Sequence, residues 1–305
     1  MSRWRRPPRP SAESFPLPRR TPASAPHSPA STTAGGTLPD TDPGSRETGG
    51  RGTGVVLHVP HASRLIPADA RASIVLDDAA LEAELDLMTD SFTDVLAERA
   101  VAALGGRVDI EVLAAPVSRL AVDVERFPDE REEMNAVGMG AVYTRTHDGS
   151  LLRDAGDPSL VTRYADPHAR AVRDAVAHHL ERDGAAVLLD LHSYPLCQLP
   201  YEIVPEGSPR PEICLGVDEV HTPPELVALA RGAFAGFDIE INSPFAGTYV
   251  PLDFYGIDRR VSSLMIEIRR DVYMDEASVE MHDGSSRVVR AIAALNEAVA
   301  PRRFR

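Results

Sequence analysis

Lysine is missing from this chain of 305 residues: its 32 basic residues are all arginine, set against 46 acidic ones for a formal net charge of −14. The imbalance is uneven. Residues 1–53 hold eight arginines and four acids, so the rest of the chain carries a net −18. A body that acidic lacks the basic face that phosphate binding requires, which argues against nucleic acid as a partner. Long apolar runs are lacking too; none approaches the roughly 20 residues of a membrane-spanning helix. Cysteine is scarce, with only Cys197 and Cys214 and no C-x-x-C spacing. That is too few for a disulfide scaffold and fits a reducing cytoplasm. HExxH, GxSxG and P-loop motifs are also absent, so the common protease, esterase and nucleotide readings have no footing.

Ten of the 26 prolines fall within residues 1–53, beside Gly35-Gly36, Gly49-Gly50 and many Ser and Thr. Such a stretch cannot bury enough apolar surface to offset its ordering entropy, and it reads as a disordered tail. Arg5-Arg6 and Arg19-Arg20 suggest a targeting signal, but no apolar h-region follows either pair. Residues 54–305 are the expected folded domain, near the upper size for one hydrophobic core.

Within that domain, apolar runs alternate with helical patterns. Val55 to Val59 reads as a strand stopped by Pro60, and a helix is expected from Asp78 to Leu104, ended by Gly105-Gly106. Leu120 to Val124 is a second strand candidate; Pro167 to Arg182 is helical; Ala185 to His192 is a buried strand. Pro224 to Phe237 reads as a helix capped by Gly236, Ser263 to Ile268 as a strand and Ser286 to Val299 as a closing helix. Strands alternating with helices of this length indicate an α/β domain with a largely parallel sheet.

Ligands of such sheets sit beyond the carboxyl ends of the strands, and four segments place polar residues there. His58-Val59-Pro60-His61 puts His61 in a turn just past a strand. Asp190-Leu191-His192 puts an acid and an imidazole on one strand face, where Asp190 can receive the ring N–H that a metal-bound His192 leaves free. Leu264 to Arg270 carries Glu267 inside an apolar strand, on one face with Met265 and Arg269; it is either a paired structural charge or a general base with a raised pKa. Ser118 to Arg126 carries Arg119 and Arg126 around a short strand, suited to grip a carboxylate, or else salt-bridged to Asp123 and Glu125. A catalytic zinc site takes three His or carboxylate ligands. His61 and His192 supply the nitrogens, and a helix carboxylate completes the set. Glu84, Asp86 and Asp90 are the candidates, and spacing does not choose among them. The remaining histidines read as structural or solvated, His178-His179 among them; His168 caps a helix or lines the cleft.

Taken in order, these segments resemble the N-formylglutamate amidohydrolase family. The carriers are His58 to Ser63, Leu87-Met88-Thr89-Asp90, Ser118 to Phe127, Gly140 to Thr146, Asp190 to Ser193, Asn242 to Gly247, and Ile266 to Arg270 with Tyr273-Met274. The resemblance implies a three-layer α/β/α sandwich around a mostly parallel mixed sheet, similar to the zinc carboxypeptidases. It also implies metal-dependent hydrolysis of a small, anionic N-formyl amino acid to formate and the free amino acid, as in histidine breakdown. Carried over, His61, Asp90 (from the Met-Thr-Asp match) and His192 hold zinc or another divalent ion. Glu267 is the base acting on the nucleophilic water, and Arg119 stabilises the oxyanion. Arg126, Arg145 and Arg269 bind the substrate. Two departures bear on the substrate: many relatives have Asn-Arg where this chain has Glu125-Arg126, and again where it has Arg269-Arg270. An ionised Glu125 cannot donate to a carboxylate and repels it, so an amidase for another small N-acyl amino acid or peptide is the second expectation. A non-catalytic metal-binding module is the third.

Overall fold

The computed structural model describes residues 54–205, 207–300 and 302–304; the tail read as disordered lies outside the described residues. Six strands form one sheet: β1 (Gly54–Val59), β2 (Ile110–Ala114), β3 (Ala186–Tyr194), β4 (Ile213–Gly216), β5 (Ile239–Ile241) and β6 (Val261–Arg269), in the order β2-β1-β3-β6-β4-β5. β2, β1, β3 and β6 run parallel, β4 lies antiparallel to β6, and β5 is parallel to β4. A short hairpin, β7 (Met274–Asp275) and β8 (Glu280–Met281), stands apart. The helices are α1 (Ala68–Arg71), α2 (Asp78–Met88), α3 (Thr93–Leu104), α4 (Pro158–Leu160), α5 (Asp166–Asp183), α6 (Pro224–Ala233) and α7 (Ser285–Val299), with a π-helical turn at Val161–Ala165 leading from α4 into α5.

Strand alternation divides the sheet into two faces with different work. Val55, Leu57 and Val59 of β1, Leu189 and Leu191 of β3, and Leu264, Ile266 and Ile268 of β6 pack against Leu96 and Ala100 of α3, Leu226 of α6 and Ile292 of α7. The opposite face begins apolar, with Val56, Ala186, Leu188 and Val261 under Val172, Val176 and Leu180 of α5. It turns polar towards the strand ends, where His58, Asp190, His192 and Glu267 lie buried. Helices on both faces explain why β1 and β3 are apolar runs with every residue buried. The chain leaves β1 for β2 on one side and returns to β3 on the other. That reversal opens a crevice beyond the strand ends, the usual ligand position in such sheets.

Three expected elements differ. The helix anticipated from Asp78 to Leu104 is two helices, interrupted where Thr89 turns extended (ψ 135°) and Phe92 adopts a left-handed conformation (φ 66°). The break docks on the segment after β1, with the Asp90 amide donating to the His61 carbonyl at 3.0 Å. Leu120 to Val124 is no strand but a buried turn, in which Ala121 N–H donates to Ser118 O (2.8 Å) and Asp123 N–H to Ala141 O (2.8 Å). The strand beside β1 is β2, a half-buried edge strand. α6 ends at Ala233, before the expected Phe237.

Candidate active site

The break between α2 and α3 brings Asp90 to the strand ends. His61 Nδ1 lies 3.3 Å from His192 Nδ1, and Asp90 Oδ2 lies 3.2 Å from His192 Nδ1 and 3.7 Å from His61 Nδ1. Two imidazole nitrogens and a carboxylate oxygen form a zinc-type donor set, and tetrahedral bonds of 2.0–2.1 Å place donors about 3.3–3.4 Å apart. The edges of 3.2 and 3.3 Å match that spacing, and the Asp90–His61 edge, at 3.7 Å, is somewhat longer. Glu267 pairs with His192 in register across β3 and β6, and its Oε2 is buried without a hydrogen-bond partner.

The outer edges of the same imidazoles meet more carboxylates. His61 Nε2 is 2.9 Å from Asp123 Oδ1 and 3.6 Å from Glu125 Oε2, while His192 Nε2 is 3.2 Å from Asp190 Oδ1 and 3.4 Å from Glu125 Oε2. Glu125 therefore forms a second donor group with His61 and His192, and a third with His58 and Asp190. Asp190 also accepts from His58 Nδ1 at 2.9 Å, which leaves His58 Nε2 as acceptor for His168 Nε2 at 2.9 Å. Asp190 thus stands against His192 as the sequence suggested. Of the two groupings around the His61–His192 pair, an ion on the Nδ1 side would leave the His61 Nε2–H to donate to Asp123 and His192 Nε2 beside Asp190, the usual orientation of metal-binding imidazoles.

Charge tells the same story. Burial disfavours the imidazolium at His192, yet Glu125, Asp190 and Asp90 overcome it and hold the pKa well above its usual value. His61 is raised in the same contest, with burial and Arg119 opposing Asp123 and Asp90. Burial would raise Asp90, but hydrogen bonds from His192 and His61 and the Arg119 charge pull it far down. The cluster is thus an anionic nest that holds protons on its imidazoles, and a divalent cation fits it. Glu267 behaves oppositely: burial, aided by the Asp90 charge, pushes its pKa up to about 7 against the cations.

Arg119 lies beside the cluster, donating from Nε to Tyr143 Oη (3.0 Å) and from a terminal nitrogen to Asp123 Oδ2 (3.1 Å), with Asp90 at 3.9 Å. Tyr143 Oη donates to Asp123 Oδ2 at 2.5 Å, and Arg126 pairs with the same oxygen at 3.4 Å. Fully buried Arg153 ties this loop down through the carbonyls of Leu120 and Tyr143. Other expected residues lie elsewhere. Arg145 is exposed, with its side chain packed over Gly138 and no link to the cluster among the described residues; Arg269 is held by Asp271 at 2.7 Å. Glu84 bonds His147 at 2.6 Å, and Asp86 pairs with Arg64 at 2.7 Å. Of the three candidate carboxylates, Asp90 alone reaches the two imidazoles. His179, read as solvated, is buried beside Asp183 and Arg182.

Sequence reading missed Tyr143 and Arg270 and gave Asp123 only the part of a salt-bridge partner, whereas Asp123 joins His61, Arg119, Arg126 and Tyr143. Arg270 donates to the Leu87 carbonyl at 2.7 Å and pairs with Asp90 at 3.6 Å, pinning the interrupted helix from the far strand. Burial of a polar residue inside an apolar stretch was the signal available for Asp123. Beside the cluster lies a cavity of about 470 Å³ that reaches it at Glu125 and Asp190; its other walls come from α5 and the 246–253 loop.

A six-stranded α/β sheet with histidines, carboxylates and an arginine gathered beyond its parallel strand ends has the makings of a hydrolase. The chain belongs to the N-formylglutamate amidohydrolase family, whose model matches residues 53–274; it is therefore a hydrolase of amide bonds. Its fold is similar to that of an N-formylglutamate amidohydrolase from Ralstonia eutropha JMP134, at 25% identity and a TM-score of 0.69 over 83% of this chain and 94% of the other. It is also similar in fold to a gene product of Agrobacterium tumefaciens at 17% identity and a TM-score of 0.58, covering 81% of this chain and 90% of that one. Among curated protein sequences none matches. No helix among the described residues is long and apolar enough to cross a membrane.

Proposed function

We propose that this protein is a metal-dependent deformylase of the cytoplasm that splits an anionic N-formyl amino acid, N-formyl-L-glutamate or a near relative, into formate and the free amino acid, a step suited to histidine breakdown. The observation that carries this reading is the convergence of His61, Asp90 and His192 at 3.2–3.7 Å, with Glu267 in register opposite His192. Those three residues hold the divalent ion, zinc by donor type. Bound there, it supplies Lewis acidity and lowers the pKa of nearby water.

The chain's own residues do the rest. Glu267 takes the proton of the water that attacks the formyl carbon, and its pKa of about 7 suits it to give that proton back near neutral pH. The receiving atom is the amide nitrogen, so the C–N bond breaks with a neutral amine leaving. Arg119 offers its guanidinium to the developing oxyanion, a contact whose loss costs about 3–4 kcal/mol in comparable sites. Asp123 and Tyr143 fix that guanidinium in place.

Glu125 favours a second reading, in which the substrate is another small N-acyl amino acid. Its carboxylate lines the cavity and repels a carboxylate placed beside it. Formate release from N-formyl-L-glutamate, N-formyl-L-aspartate and N-acetyl-L-glutamate decides between the readings. The first expects the formyl dicarboxylates to be turned over, and loss of that turnover in Glu267→Gln. No turnover of N-formyl-L-glutamate, with acetyl or other acyl substrates consumed, rejects it in favour of the second.

A further inference from the structure

The cavity beside the cluster is lined by charges of both signs: Glu125 and Asp190 where it meets the catalytic residues, with Arg126 next to them, and Arg170 and Arg173 of α5 with Asp166 and Asp253 on its other walls. Most arginines in this neighbourhood are already engaged. Arg119 and Arg126 pair with Asp123, Arg173 with Asp174, and Arg269 with Asp271. Arg170 differs. Of the three arginines lining the cavity it is the one without a hydrogen bond or ion pair among the described residues.

Its backbone is well placed for a binding role. Two residues before it, His168 is buried and bonded to His58 Nε2 at 2.9 Å, which locks this turn of α5 to the strand that leads to His61. The π-helical turn at Val161–Ala165 precedes it, and both Val161 and Ala165 line the same cavity; single π-turns inside helices occur often at functional sites. A free guanidinium also answers a difficulty set by composition. A chain of net charge −14 repels an anionic substrate, and an unpaired arginine at the cavity wall restores local attraction.

We propose that Arg170 receives the side-chain carboxylate of the substrate, so that the cavity selects amino acids whose side chain ends in an acid. This rests on the amidohydrolase reading above and names its substrate class. It moves side-chain recognition from Arg145 and Arg269 to a helix residue outside the family-like motifs. The guanidinium grips the carboxylate through two parallel N–H donors, which an amide in the same place cannot match.

The test compares kcat/KM for N-formyl-L-glutamate with that for N-formyl-L-glutamine in wild type, Arg170→Gln and Arg170→Lys, together with calorimetric binding of L-glutamate to all three proteins. Arg170→Gln is expected to lower the glutamate-to-glutamine preference about ten- to a hundredfold and to weaken L-glutamate binding in proportion, as loss of one charge-assisted contact does. Arg170→Lys should restore part of both, because the charge returns without the fork. An unchanged preference, or equal L-glutamate binding in wild type and Arg170→Gln, overturns the assignment. If wild type hydrolyses neither amide, the deformylase reading falls, and the L-glutamate binding comparison still decides the role of Arg170.

Discussion

The Nδ1 atoms of His61 and His192 face each other at 3.3 Å across 131 residues of sequence. Two imidazole nitrogens at that separation cannot both be bare acceptors without something positive between them. A proton serves in the ion-free protein, and a divalent cation meets the same need with Asp90 as third donor. Competition between the two gives the site its pH behaviour. Metal binding should release protons and weaken as pH falls, which titration with zinc at pH 5.5 and 7.5 measures directly.

Glu125 separates the two possible seats of that ion. Glu125→Asn leaves the Nδ1 group with Asp90 intact and dismantles both groups built on Glu125. The variant should keep its metal and, having lost an anion facing the cavity, should show a lower KM for N-formyl-L-glutamate. Loss of metal on this substitution would place the ion on the Nε2 side instead.

Asp190 bridges His58 and His192, at 2.9 and 3.2 Å. Asp190→Asn keeps the shape and removes the charge that orients both rings. Comparable changes to the carboxylate behind a metal-binding histidine cost about 10–100-fold in metal affinity or activity. Competition with a chromophoric chelator should show a loss of that size, with the fold retained by circular dichroism.

Glu267 stores strain that its chemistry uses. Its pKa is raised from 4.5 to about 7, so the folded protein binds this proton more tightly than the unfolded chain does. The sign follows: stability falls as pH rises from about 4.5 through about 7, and above that the ionised, buried carboxylate opposes folding. The whole effect is on the order of 3 kcal/mol. In protein stripped of divalent ions, Glu267→Gln should therefore melt several degrees higher than wild type at pH 8, and close to it at pH 4. The same variant should lose nearly all activity at every pH. Equal melting curves at pH 8 would show that burial does not hold the proton there.

The parts of the fold legible in the sequence were those buried on both sides. β1, β3 and β6 announce themselves because helices cover both faces and leave no room for alternation, and their polar residues stand out against that background. β2, β4 and β5 are short, and the exposed flanks of β2 and β5 carry no clear period. Leu120-Ala121-Val122 misled because a buried turn needs apolar side chains as much as a strand does. The interruption at Thr89 to Phe92 was hidden for a related reason: Met88, Phe92 and Leu96 keep helical spacing straight across it. Spacing therefore set Asp90 on a helix face beside Asp86. Only tertiary contacts, the His61 carbonyl on one side and Arg270 on the other, turn it into the cluster. Arg145 was drawn in by a motif whose backbone shapes the Tyr143 loop while its own side chain faces solvent.

Tyr143 completes the polar core behind Arg119. Tyr143→Phe removes the donor to Asp123 and the acceptor of Arg119 Nε, leaving buried groups unpaired at about 1–3 kcal/mol. Chemical denaturation should register that loss, and kcat should fall more than KM rises, because the guanidinium it positions acts on the transition state.

The most direct measurement is metal content by mass spectrometry of purified wild type and His192→Ala, dialysed against the same zinc-containing buffer and then freed of loosely bound ion. About one zinc per chain in wild type, and almost none in the variant, is the expected result. Stoichiometric zinc retained by His192→Ala, or none in wild type, contradicts a centre built on His61, Asp90 and His192.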